Sequence, residues 1–147
     1  MTATHIAQIA LEFGPEFQGF PILIQPLTDQ QVLLVLNAVP AFRLRLSAES
    51  DLSRKIDQLG ISDEIKLGDQ TLDTKYVVRS ATPDLLTAGL TDQVKQAIAS
   101  LDPLAELELT AKEYRLIFEL DQEPKASVQR ALEQMVVLAN LTAVEEA

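Results

Sequence analysis

Residues 106–121 run Glu106-Leu107-Glu108-Leu109-Thr110-Ala111-Lys112-Glu113-Tyr114-Arg115-Leu116-Ile117-Phe118-Glu119-Leu120-Asp121. Leu107 and Leu109 alternate with Glu106, Glu108 and Thr110. Tyr114, Leu116, Phe118 and Leu120 alternate with Arg115, Glu119 and Asp121. Period two sends successive side chains to opposite faces, so each run is a strand with one apolar and one polar face. With the turn at Ala111-Lys112 or its neighbours, Leu109 faces Tyr114, Leu107 faces Leu116 and Glu108 faces Arg115. All three pairs are chemically compatible across an antiparallel ladder, which specifies the register. The fold therefore contains an antiparallel hairpin that buries one face.

Upstream the same signals recur. Gln31 to Ala38 holds the apolar run Val32-Leu33-Leu34-Val35-Leu36, as expected of a strand covered on both faces. Ile22 to Leu27 reads as a strand, at an edge or bent because of Pro26. Phe42, Leu44 and Leu46 alternate with Arg43, Arg45 and Ser47, predicting a half-buried strand hairpin-paired with the run before it. Ile65–Leu67 and Lys75–Arg79 read as two further strands around the loop Gly68-Asp69-Gln70-Thr71-Leu72-Asp73. The spacing of Ile6, Ile9, Ala10 and Phe13 predicts a helix that Gly14-Pro15 stops. Leu52, Ile56 and Leu59 sit at helical spacing between Ser50 and Gly60. Thr82-Pro83 starts another helix, which Gly89 ends or bends, and Thr91-Asp92 starts the next, with Val94, Ala97, Ile98 and Leu101 on one face.

After Pro124 a long helix runs from Lys125 to about Ala143. Its main apolar face carries Val128, Ala131, Leu132, Met135, Val136 and Ala139. At about 100° per residue, Val137, Leu141 and Val144 fall nearly opposite, at i, i+4, i+7. A lone exposed valine needs no explanation, but three in a row make a second stripe. Val137, Leu141 and Val144 are therefore a candidate interface, with a second copy of the chain or with a partner protein; a frayed tail beyond Asn140 and a helix sandwiched within the same domain are the alternatives.

Runs of adjacent strands joined by short turns, followed by helices, predict an α+β fold. It is a mostly antiparallel sheet of about five to seven strands, with helices largely on one face. The 147 residues suit a single α+β domain spanning 1–147, with an N-terminal helix over 1–13 and a C-terminal helix over 125–143.

The composition removes several kinds of chemistry. The chain has no cysteine, which excludes disulfides, thiolate metal sites and cysteine nucleophiles. His5 is the one histidine, in the first turn of the predicted helix, where neither a catalytic base nor a zinc site is expected. The 5 glycines are dispersed and make no phosphate loop. Net charge is −10, from 12 Lys+Arg against 22 Asp+Glu, and the basic residues are scattered. Phosphate backbones repel such a surface, so nucleic acid is not an expected partner. No window approaches the roughly 18 apolar residues of a membrane span, and Met1 to Phe13 is not a secretory signal. No membrane insertion is expected, and the cytoplasm is the expected compartment. Asp63/Glu64 and Asp69/Asp73 are carboxylate pairs that could hold a cation or do acid–base work. Holding turn amides is the commoner use of such residues. Phe13, Phe17 and Phe20 fill the core or cap a pocket.

The stretch Gly68-Asp69-Gln70-Thr71-Leu72-Asp73-Thr74-Lys75-Tyr76-Val77-Val78-Arg79-Ser80, with Leu90-Thr91-Asp92-Gln93-Val94 after it, resembles a G-D-x-x-F-D-x-x-F-x-V pattern. That pattern marks a bacterial and archaeal family of domains of unknown function, often attached to membrane-anchored chains. The resemblance covers Ile65 to about Leu141. It departs from the family at Leu72, where phenylalanine is usual, and in having no membrane segment. The family brings no established activity or catalytic residues, so the resemblance bears on the fold more than on the function. Physically, Gly68 permits a positive-φ turn, Leu72 plugs the core, and Asp69 and Asp73 tie loop amides.

No catalytic residue, cofactor or metal ligand emerges. The leading expectation is a non-catalytic interaction or regulatory module of the bacterial cytoplasm. The alternative is a carrier of a small apolar ligand held between sheet and helices. An enzyme using carboxylates comes third.

Overall fold

The computed structural model describes residues 3–28, 30–48, 76–80, 82–101 and 105–144. In chain order the elements are α1 (Ala3–Phe13), β1 (Glu16–Phe17), β2 (Phe20–Pro26), β3 (Gln31–Leu36), β4 (Leu44–Ala48), β5 (Tyr76–Arg79), α2 (Pro83–Gly89), α3 (Asp92–Ala99), β6 (Glu106–Leu109), β7 (Tyr114–Glu119) and α4 (Pro124–Thr142). The strands form one sheet in the order β1-β2-β3-β7-β6-β4-β5, and every pairing is antiparallel. The α+β architecture is thus the expected one, at the upper end of the expected strand count. The Gly68–Asp73 motif, the 50–60 helical spacing, the strand at Ile65–Leu67 and the pair Asp63/Glu64 lie outside the described residues.

The β6–β7 hairpin has the register that the sequence dictates, with Leu107 opposite Leu116, Glu108 opposite Arg115 and Leu109 opposite Tyr114. Thr110 builds its turn. Its hydroxyl oxygen accepts from the amides of Lys112 (3.2 Å) and Glu113 (3.1 Å), and its own amide donates to the Glu113 carbonyl (3.0 Å). Such local side-chain bonds are why Thr and Ser favour turns. The β1–β2 turn places Gln18 (φ 50°) and Gly19 (φ 89°) in the left-handed region. Two successive positive φ values suit a two-residue hairpin, because their twist matches that of the strands.

Among the described residues one apolar cluster joins the inward side chains of the sheet to all four helices. From the strands come Ile22, Ile24, Val32, Leu34, Leu36, Leu44, Leu46, Tyr76, Val78, Leu107, Leu109, Tyr114, Leu116 and Phe118. From the helices come Ile9, Leu86, Val94, Ala97, Ile98, Val128, Leu132, Met135, Val136, Leu138 and Ala139. The described helices therefore share one face of the sheet. Leu33 and Val35 of β3 point to the other face and are only 6% exposed, so this strand is covered on both sides, as its unbroken apolar run predicts. Phe13, Phe17 and Phe20 pack against the core, with the Phe13 and Phe17 rings edge to face at 6.1 Å.

Two expectations need correction. The strand carrying Leu44 and Leu46 does not pair with the apolar run before it. β4 lies between β6 and β5, while β3 pairs with β2 and β7. Pro40 turns the chain out of the sheet and bridges to Ala143, and the later β6–β7 hairpin fills the gap between β3 and β4. Phe42 falls in this crossing rather than in the strand, yet it is buried. The second correction concerns Thr82. It sits at the N-cap of α2 with Pro83 following, but its hydroxyl accepts from the Arg43 amide (2.8 Å) rather than from the helix. Thr91, by contrast, does cap α3 by accepting from the Val94 amide (3.2 Å).

Candidate interaction surface

The C-terminal helix α4 is set on the sheet by its apolar side and clamped at its end. Tyr114 donates its hydroxyl to Thr142 Oγ1 (2.7 Å), and Thr142 donates in turn to the Leu138 carbonyl (2.7 Å). Burial pushes the Tyr114 phenol up to about 12, against a smaller opposing effect of the bond with Thr142. It is therefore a fixed neutral donor rather than an acid. Beyond the helix, the Ala41 amide donates to the Thr142 carbonyl (2.8 Å) and the Val144 amide to the Val39 carbonyl (2.7 Å). With Leu138, Ala139 and Thr142 buried and the last turn tied to β7 and to the 39–41 crossing, α4 cannot roll about its axis.

That fixed rotation leaves Val137 and Leu141 outside; Val144, expected on the same helical stripe, falls past the helix, which ends at Thr142 with Ala143 extended. Val137, Leu141 and Val144 are 44%, 41% and 52% exposed. Val39, bonded to Val144, is exposed as well and extends the apolar surface past the helix end. Val137 and Leu141 line a groove of about 330 Å³ between α4 and α3, with Gln134 on their own helix and Gln93, Gln96, Ala97 and Ser100 opposite. Ser100 donates its hydroxyl to the Gln96 carbonyl (2.9 Å), so it is engaged within the wall. The sequence locates one wall of this groove through the i, i+4, i+7 stripe. The other wall is polar and carries no periodic signal, so Gln93, Gln96 and Ser100 are visible only once α3 and α4 lie side by side.

Two other recesses open on the same face of the sheet. One, about 500 Å³, separates α1 from the start of α4 and is spanned by an ion pair between Lys125 Nζ and Glu12 (2.7 Å). The other, about 260 Å³, reaches down between α3, β7 and α4 to Leu101, Leu116 and Phe118. Asp121 and Arg130 pair at its rim (3.4 Å). Bonds to Ser127 and to the Glu123 amide, then the Arg130 charge, hold the Asp121 carboxyl below the usual carboxylate range. On the sheet face away from the helices, Arg45 pairs with Glu106 (3.0 Å) and Arg115 with Glu108 (3.5 Å) and Glu113 (3.8 Å). These exposed pairs satisfy charge locally and contribute little each to stability. Among the described residues no group of His, Asp or Glu is placed to hold a metal ion, and no helix is long and apolar enough to cross a membrane. The residues Gly68, Asp69, Leu72 and Asp73 are outside the described part of the chain.

No family model matches the sequence, and no curated protein matches it. Among solved structures, the fold is similar to that of the mycobacterial trehalose monomycolate transport factor A, TtfA, with a TM-score of 0.60. The alignment covers 89% of this chain and 72% of that one, at 10% sequence identity. At that identity the likeness is one of fold.

Proposed function

We propose that this chain is a non-catalytic interaction module that docks a partner through the α3–α4 groove. The observation that carries the reading is the exposed pair Val137 and Leu141 on a helix whose rotation is fixed by buried bonds, with exposed Val144 and Val39 just past the helix end. Exposed apolar side chains in a row cost solubility, and folding does not require them here, because the core face of α4 is already complete. Among the described residues the groove walls carry alkyl groups, amides and the engaged Ser100 hydroxyl, which suit docking and offer neither an acid, a base nor a free nucleophile. The test compares proteins captured from cell extract by the wild type and by the double variant Val137→Glu/Leu141→Glu. Loss of a specific captured partner in the variant, with its circular dichroism unchanged, is the expected result. Identical capture by both would remove the groove from the function.

A second reading, a carrier of a small apolar ligand, has its own support. The recess above Leu101, Leu116 and Phe118 lies between sheet and helices, where such a ligand would sit. The similar fold of a protein named as a transport factor for trehalose monomycolate points the same way. Native mass spectrometry of the protein as purified from cells separates the readings. A bound apolar molecule, lost on replacing Ala131 with Trp at the recess wall, would favour the carrier.

A further inference from the structure

We draw no further inference here: the strongest candidate, the groove between α3 and α4 lined by Val137, Leu141 and the glutamines of both walls, belongs to the docking reading already given, and nothing in the structure shows what covers it.

Discussion

Replacing Tyr114 with Phe isolates the bond that closes the end of α4. The variant keeps the ring and leaves Thr142 donating to the Leu138 carbonyl, while Thr142 loses its buried donor. The expected cost is about 1 kcal/mol in a urea titration. The pH dependence follows from the raised phenol, about 12 against an ordinary 10. Below pH 10 the phenol keeps its proton in both folded and unfolded chains, and its contribution is intact. Between 10 and 12 the unfolded chain releases that proton first, so stability falls. Tyr114→Phe should remove this part of the alkaline loss, seen as a shallower decline of the urea midpoint. Gly89 gives a second prediction at this scale. A methyl group there would meet the Phe42 ring at 2.6 Å, and that ring is buried. The usual helical gain of Ala over Gly is about 0.5–1 kcal/mol. Overpacking costs about 1–3 kcal/mol, so the clash wins and Gly89→Ala should lower the thermal midpoint. Phe42→Leu in the same chain should recover part of the loss, since coupled neighbours are not additive.

At the scale of the element, α3 and α4 hold their places for different reasons. α3 has eight residues, too few to be stable alone, and it rests on Val94, Ala97 and Ile98 and on the Thr91 cap. Thr91→Ala should cost about 0.5–2 kcal/mol and speed hydrogen exchange in the first turn of α3. α4 separates two faces with different consequences. Leu132 is fully buried, and Leu132→Ala should cost about 2–5 kcal/mol. Val137→Ala, on the outer side of α4, should stay within about 0.5 kcal/mol of the wild type while weakening capture of the proposed partner. A large loss of stability in Val137→Ala would mean that the stripe belongs to the fold rather than to a partner.

For the whole molecule, the surplus of acids bears on solubility and on which surfaces approach it rather than on how the chain folds. The cations Arg45, Arg115, Lys125 and Arg130 are each paired with a carboxylate. Exposed pairs of this kind are weak, so Arg115→Ala should change stability by less than about 1 kcal/mol. The sheet order has a clearer consequence. β7 is central, held by β3 on one side and β6 on the other, and the turn at Thr110 places it. Its amides should be among the slowest to exchange, while those of β1, at the edge, exchange early.

The sequence by itself determined what local periodicity can carry. Alternation named the β6–β7 register residue by residue, because a one-residue slip would turn every leucine to solvent. Helical spacing drew α1 and α4 and singled out Val137 and Leu141, since angle along a helix is a property of sequence alone, but it could not tell that the helix stops at Thr142, before Val144. What crosses the chain was not legible. Leu44 and Leu46 read as a strand in either neighbourhood, and only the packed sheet decided that β6 and β5 flank β4. Thr82 reads as a cap, and only tertiary structure brought the Arg43 amide to its hydroxyl. Gln93 and Gln96 became groove residues because α3 lies against α4. The physical reason is common to all three. Periodicity reports which side of an element is buried, whereas the partner of that side is chosen by long-range packing, to which residues far apart in the chain contribute jointly.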